Sequence, residues 1–317
     1  MKLIITGGAG FIGSNFIYLI LKKRPDWKVV CVDSLTPVSN IGFLDEAFKN
    51  PNFVFYKEDI RNKEGIFEIF KKYQPDILVN FAAESSVDKS IINPHIFFET
   101  NVLGTQVLLD ACKEYGIKRF HQVSTDEVYG DIALDDMDTI FNESSPLHPS
   151  SPYSASKAAA DLLVLSYYRT YNLPVTISRC SNNYGPNQNK EKLIPMVIES
   201  ALNSKPIPIY GDGLNVRDWI YVEDHCKGIL AILEKGRDGE IYNLCGNNQK
   251  TNIEVVQIIL KELNKPESLI TFVEDRKGHD SKYRINSLKV MNELDWRPKA
   301  RFQESLCKTI NTYLLKQ

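Results

Sequence analysis

The chain has 317 residues, is 43% hydrophobic and 25% charged, and carries a formal net charge of -2. That length suits one large or two modest domains with a sizeable core. The near-neutral balance argues against nucleic acid or an anionic membrane as partner, and no apolar run is long enough to cross a bilayer.

Met1-Lys2 leads directly into an apolar run and then glycines, which is not the pattern of a secretory leader, so the cytoplasm is the expected compartment. Cysteines stand at 31, 112, 180, 226, 245 and 307 with no C-x-x-C pair, and read as buried or incidental thiols of a reducing compartment. Scattered His and Cys give no metal-ligand spacing.

KLIIT, KVVCV, FVFYK, DILVN and FHQVS are short β-rich runs, and helical patterns fill the gaps between them. Such alternation predicts an α/β protein with a doubly wound parallel sheet of Rossmann type. Between the first run and the first helix lies TGGAGFIG (6–13), which satisfies G-x-G-x-x-G through Gly8, Gly10 and Gly13, and G-x-x-G-x-x-G through Gly7, Gly10 and Gly13. A diphosphate fits on such a turn, because free helix N–H groups and the helix dipole favour an anion. Asp33 ends the next strand, where an acid accepts from a ribose 2′-hydroxyl and repels a 2′-phosphate, so NAD is expected rather than NADP. Asp59 and Ile60, after the third strand, are candidates for the adenine pocket.

Two longer helices are expected at about 93–116 and 153–171, followed by the strand PVTISR (174–179). Tyr153 and Lys157 stand four residues apart and share one helix face. An ammonium near a phenol favours the phenolate, which predicts a lowered Tyr153 pKa and a base for a substrate hydroxyl. Beyond residue 180, Pro, Gly and Asn become frequent and strands short (PIPIY, DWIYV, EIYNL). This gives two expected units: 1–180 as the cofactor-binding domain, with segments near 215–245 returning to it, and 181–317 as a smaller C-terminal substrate lobe.

TGGAGFIG, NFAAE (80–84) and YSASK (153–157) resemble the extended short-chain dehydrogenase/reductase family, whose members act on nucleotide-linked sugars. STDEVYG (124–130), RCSNNYGP (179–186), EKLIP (191–195), IYGDGLNVRDWIYVEDH (209–225) and EDRKGHD (274–280) are similar to its 4,6-dehydratase branch. The resemblance spans nearly the whole chain. It implies a lyase with recycled NAD that acts on a nucleoside-diphosphate glucose, with thymine or uracil as the base. A 4-epimerase of the same family would use Tyr153, Lys157 and NAD but has no need of Asp126 and Glu127. A catalytically silent NAD-binding regulator has no need of Thr125, Tyr153 or Lys157.

The resemblance makes Thr125 a hydrogen-bond partner of the sugar C4 oxygen, Asp126 the acid at C6 and Glu127 the base at C5. Two adjacent acids can serve one site only if the strand has ended at Thr125, since neighbours on a regular strand point to opposite faces. The family's cofactor contacts fall on Gly7, Gly10, Phe11, Ile12, Gly13, Asp33, Asp59, Ile60, Ala82, Ala83, Thr100, Tyr153, Lys157 and Asn183. Its substrate contacts fall on Ser85, Thr125, Asn182, Lys192, Leu193, Pro208, Tyr210, Arg217, Asn252, Arg276 and His279. Arg217 is the natural diphosphate clamp, because its fork matches phosphate oxygens. Lys277 departs from the family's usual proline and leaves the loop before His279 less stiff. Asp212, Glu223 and Asp224 read as structural. The family pairs two subunits through two long helices each, which implies a homodimer whose outer helix faces carry Phe97, Leu108, Leu162, Leu165 and Tyr168.

Overall fold

The computed structural model describes residues 1–315. The chain begins β1 (Lys2–Thr6), α1 (Phe11–Lys23), β2 (Lys28–Asp33), β3 (Phe53–Lys57), α2 (Lys63–Tyr73) and β4 (Ile77–Asn80). Short helices α3 (Val87–Ile92) and α4 (Pro94–Phe98) run through a π-helical turn, Glu99–Gly104, into α5 (Thr105–Tyr115). Then come β5 (Arg119–Thr125), a 3-10 turn over Asp126–Tyr129, α6 (Pro152–Tyr171), β6 (Val175–Cys180), β7 (Asn182–Tyr184) and α7 (Leu193–Leu202). The rest is β8 (Ile207–Tyr210), β9 (Val216–Tyr221), α8 (Val222–Lys235), β10 (Glu240–Leu244), β11 (Gln249–Thr251), α9 (Asn252–Glu262), β12 (Ile270–Val273), α10 (Leu288–Leu294) and α11 (Phe302–Leu314).

Seven strands form one sheet in the order β10-β6-β5-β4-β1-β2-β3, with every neighbouring pair parallel. β4 and β6 are buried at every residue, as expected when helices cover both faces. One face packs Phe16, Ile20, Ile229 and Trp296 from α1, α8 and the α10 end; the other packs Phe70, Leu108 and Val164 from α2, α5 and α6. A third core (Ile198, Ile207, Trp219, Val256, Leu306) holds the smaller lobe, whose sheets are β11-β9-β7 and β12-β8.

Within the 215–245 stretch expected to return to the first domain, EIYNL as β10 pairs with β6 from Glu240↔Thr176 to Leu244↔Cys180 and forms one edge of the main sheet, whereas DWIYV as β9 lies in the smaller sheet. The helix expected over about 93–116 runs from Pro94 to Tyr115, with the π-helical turn set between α4 and α5. One expectation changes. Phe97 and Leu108, expected on an outer face, are fully buried within their own chain, whereas Leu162 is 58% exposed and Tyr168 is also exposed. An apolar residue on a helix of period 3.6 does not reveal which of two apolar stripes its own sheet will cover.

Candidate active site

The order of β1 and β4 reverses the winding of the sheet, and ligands of such sheets bind beyond the carboxyl ends of the strands at that point. A cleft of about 640 Å³ opens there. All the candidate cofactor, substrate and catalytic residues named above line it, from Gly7 through Asp33, Thr125 and Tyr153 to His279.

The glycine turn shapes one end. Gly7 has φ +67°, and a Cβ there would lie 2.6 Å from the Ala82 nitrogen; a Cβ on Gly13 would lie 2.3 Å from the Gly7 oxygen. α1 begins at Gly10 with no side-chain cap and no acid in its first turn, which leaves its N–H groups open to an anion. Asp33 ends β2, with one carboxylate oxygen accepting from Ala9 N at 2.9 Å and the other from Leu35 N at 2.8 Å. Each oxygen keeps a lone pair for a further donor. These features fit a dinucleotide with a free ribose 2′-hydroxyl. Asp59 also lines the cleft, but Arg61 holds its carboxylate at 2.7 Å and keeps it below the usual carboxylate range.

The candidate catalytic groups Thr125, Asp126 and Glu127 lie together at the end of β5. Thr125 is the last strand residue, and its Oγ1 accepts from Glu127 N at 3.3 Å, capping the 3-10 turn. The strand therefore ends where two adjacent acids must both reach one cleft. Thr125 also donates to Asp126 Oδ1 at 3.3 Å, while Asp126 Oδ2 is buried without a partner. Burial pushes Asp126 well above its usual value, and the charges of Glu127 and Asp218 push the same way. Burial also raises Glu127, but Lys192, Arg276 and Arg217 oppose it. One acid is thus held towards its neutral form, and the other faces three cations.

α6 supplies the remaining groups. Pro152 stands in its first turn, and a Ser151–Ser154 capping box fixes where it starts. Tyr153 sits edge-on to Phe97 at 6.3 Å, and Lys157 donates to the Val123 carbonyl at 2.7 Å. The expected lowering of Tyr153 is not found: burial comes first, the Glu127 charge adds to it, and both raise the phenol well above its ordinary value. Lys157 is itself lowered by burial. Asn101, in the π-helical turn, accepts from Glu84 N at 2.8 Å and donates to Ser156 at 2.8 Å, tying the loop after β4 to α6.

The smaller lobe supplies cations. Arg217 spends three N–H groups on the carbonyls of Val216, Ser281 and Asp280 and lies 4.4 Å over the Tyr283 ring, so its plane is fixed in advance. Lys192 reaches the Ser85 carbonyl at 3.0 Å, and Arg276 faces Asp88 at 3.7 Å. His279 bonds Asp275 at 2.6 Å; burial and Arg276 lower its pKa. Asn183 is held by His225 at 2.8 Å, while the neighbouring Asn182 has a buried oxygen without a partner. Asp224 accepts from Lys299 N and Ala300 N, a structural arrangement. Sequence reading missed Tyr283, Trp219, Ser124 and Asp88 in the cleft wall. Tyr283 follows EDRKGHD by only three residues, but nothing local says that its ring meets Arg217. The described residues contain no metal-holding cluster of His, Cys, Asp or Glu.

The sequence matches the family described as GDP-mannose 4,6 dehydratase over residues 4–309. A dTDP-glucose 4,6-dehydratase of Haemophilus influenzae is 48% identical over 99% of this chain and 98% of its own length. A solved dTDP-glucose 4,6-dehydratase of Bacillus anthracis, in complex with NAD, is 46% identical with TM-score 0.92, covering 99% of this chain and 97% of that one. One from Streptomyces venezuelae, with NAD and dTDP bound, is 44% identical with TM-score 0.95 and the same coverage.

Proposed function

The chain belongs to the GDP-mannose 4,6 dehydratase family, and on that premise we propose that it converts dTDP-glucose to dTDP-4-keto-6-deoxyglucose and water, with NAD recycled in each turnover. The observation that carries the reading is the acid pair. Asp126 and Glu127 share one cleft with Tyr153 and Lys157, and their surroundings push their titrations apart. A 4-epimerase would have no use for that pair.

Bound NAD supplies a hydride acceptor for C4 and later the same hydride for C6. Gly7, Gly10, Phe11, Ile12 and Gly13 hold its diphosphate, Asp33 its adenosine ribose, and Thr100 and Asn183 add further contacts. Tyr153 takes the proton of the C4 hydroxyl, with Thr125 hydrogen-bonded to that oxygen. The C4 ketone acidifies the C5 hydrogen, which Glu127 removes as a proton. Asp126 protonates the C6 hydroxyl, the C6–O bond breaks and water leaves. Glu127, whose proton exchanges with solvent meanwhile, protonates C5 as C6 is reduced. Over the cycle Tyr153 gains the proton that Asp126 loses, so one must pass back, directly or through solvent, before the next turnover. Arg217, Lys192 and Arg276 face the substrate diphosphate, and Tyr210, Pro208, Asn252 and His279 frame the rest of the nucleotide. On this reading residues 1–180, with α8 and β10 returning to them, bind NAD, and the remainder, including β9 with Arg217, binds the nucleotide sugar.

Separate incubation with dTDP-, UDP-, GDP- and CDP-hexoses, followed by mass spectrometry, tests this. Loss of one water should be fastest from dTDP-glucose. Epimer formation without water loss would reject the dehydratase, and a preference for UDP-glucose would reassign the base.

Asp33→Ala should weaken NAD binding by roughly tenfold or more, because a charge-assisted hydrogen bond contributes about 1.5–3 kcal/mol. It should also narrow the preference for NAD over NADP, a ratio that simple loosening of the turn would not move. Titration of both dinucleotides by calorimetry checks it; unchanged NAD affinity would remove Asp33 from the site.

A homodimer is part of the same proposal. Leu103 is 55% exposed on the π-helical turn, and Leu162 and Tyr168 are exposed on the adjacent α6. Grouped apolar exposure of this kind marks a partner surface. Light scattering at micromolar concentration should give twice the chain mass, and Leu162→Lys should lower it towards one chain. No described helix is long and apolar enough to cross a membrane, and the six free thiols suit the cytoplasm as the proposed compartment.

A further inference from the structure

A buried ion pair lies behind the cleft, where it lines neither the cofactor nor the substrate side. Asp161 on α6 accepts from Arg179 Nε on β6 at 2.9 Å, and the two side chains are 0% and 2% exposed. The second Asp161 oxygen is buried without a partner. Asp161 stands one helical turn beyond Lys157 and two beyond Tyr153, on the same face of α6. The Arg179 guanidinium lies 4.9 Å over the ring of Tyr129. Tyr129 ends the 3-10 turn that carries Asp126 and Glu127, and its hydroxyl donates to Asn243 on β10 at 2.8 Å. Arg179 therefore touches both the helix that carries the oxidation residues and the turn that carries the elimination acids.

Stability gives little reason for such a pair. Removing two charges from water costs several kcal/mol per ion, and apolar residues of similar volume often serve as well or better. What an apolar pair lacks is a fixed direction: the guanidinium is planar, takes the carboxylate along one edge and presents its face to an aromatic ring. The sites at the two ends of this contact must agree closely. C4 is oxidised from α6, C5 and C6 are attacked from the acid turn, and both sets of groups meet one hexose ring. A misplacement of ~1 Å can cost on the order of a hundredfold in rate.

We propose that Asp161, Arg179 and Tyr129 are positioning residues that set the acid turn against the catalytic helix, so that the oxidised sugar lies within reach of Asp126 and Glu127. This rests on the dehydratase reading. The brace does not hold the glycine turn, Asp33 or the cations of the smaller lobe, so cofactor and nucleotide binding should survive its loss. The Tyr153 step should also survive, because the capping box of α6 and the Lys157 bond to Val123 remain.

The test is single-turnover kinetics with dTDP-glucose on the wild type, on Asp161→Leu/Arg179→Met and on Arg179→Lys. Oxidation is followed by the near-ultraviolet absorbance of the reduced nicotinamide, and elimination by mass in quenched samples. The double variant should fold, bind dTDP as the wild type does, and oxidise C4 within about threefold of it, while losing water at least about tenfold more slowly, so that the 4-keto hexose accumulates. Arg179→Lys keeps the charge but not the planar face, and should show the same split to a smaller degree even if the double variant fails to fold. Equal slowing of both steps, or both steps within about twofold of wild type in a folded variant, would overturn the brace. A wild type that removes no water from dTDP-glucose would overturn the dehydratase reading itself, and the brace with it.

Discussion

Glu127→Gln should bind dTDP-glucose, oxidise it at C4 and then stop. The change is nearly isosteric, so the cleft, the 3-10 turn and the Thr125 cap should persist. The amide lacks a lone pair basic enough to take the C5 proton. Positioned acid–base groups contribute about 10²–10⁴-fold, and kcat should fall by that order. Reduced nicotinamide should build up and remain, because its hydride has no C5–C6 double bond to enter. In deuterated water the wild-type product should carry deuterium at C5, whereas sugar recovered from Glu127→Gln should not. Turnover at the wild-type rate would remove Glu127 as the base.

The electrostatics give this step a pH signature. The proposed elimination needs Glu127 ionised and Asp126 protonated together. Both are raised by burial, but Lys192, Arg276 and Arg217 restrain Glu127, while Asp126 is raised further by the Glu127 and Asp218 charges. The elimination rate should rise as Glu127 ionises and fall at higher pH as Asp126 loses its proton. Removing a restraining cation, as in Lys192→Met, should raise Glu127 and move the acidic limb to higher pH. The two macroscopic values belong to the pair rather than to either acid alone.

Tyr153→Phe should block the cycle one step earlier, and its phenotype should differ in kind. Loss of the phenol removes the base for the C4 hydroxyl, again by about 10²–10⁴-fold, while nucleotide affinity stays close to wild type. No reduced nicotinamide should appear, and C5 should not exchange with solvent, because without the ketone its hydrogen is not acidic. Burial and the neighbouring carboxylate raise the Tyr153 phenol. In the proposed mechanism the Lys157 ammonium offsets them, so Lys157→Met should shift the acidic limb of the oxidation step to higher pH. Reduced nicotinamide appearing at the wild-type rate in Tyr153→Phe would assign the base elsewhere.

The parts of the molecule legible in the sequence were those with short-range causes. The glycine spacing marks a tight turn between β1 and α1, and Asp33 ends β2 in the wall of the same cleft. The four-residue spacing of Tyr153 and Lys157 marks one face of α6. The hidden parts depend on long-range pairing. The 215–245 stretch is expected to return as a block, and only strand pairing shows that it divides, with EIYNL joining β6 and DWIYV staying in the smaller sheet. The π-helical turn that presents Asn101 to Glu84 and Ser156 leaves no break in hydrophobic period. Arg179 sits inside a run read for its neighbours, and Asp161 looks like one more polar residue on a helix. That they meet, fully buried, is a consequence of α6 crossing β6. Tyr153 shows the opposite error: proximity to Lys157 predicted a lowered phenol, but dehydration and a facing carboxylate outweigh it.

The most direct test of the central claim follows one hydrogen. dTDP-glucose carrying deuterium at C4, incubated with the purified protein, should give dTDP-4-keto-6-deoxyglucose with that deuterium in the C6 methyl group, and an equal mixture of labelled and unlabelled sugar should show no crossover. That result requires oxidation, elimination and reduction on one sugar without release between steps. Deuterium returned to C4 without loss of water, or washed out into solvent before reaching C6, would contradict the account.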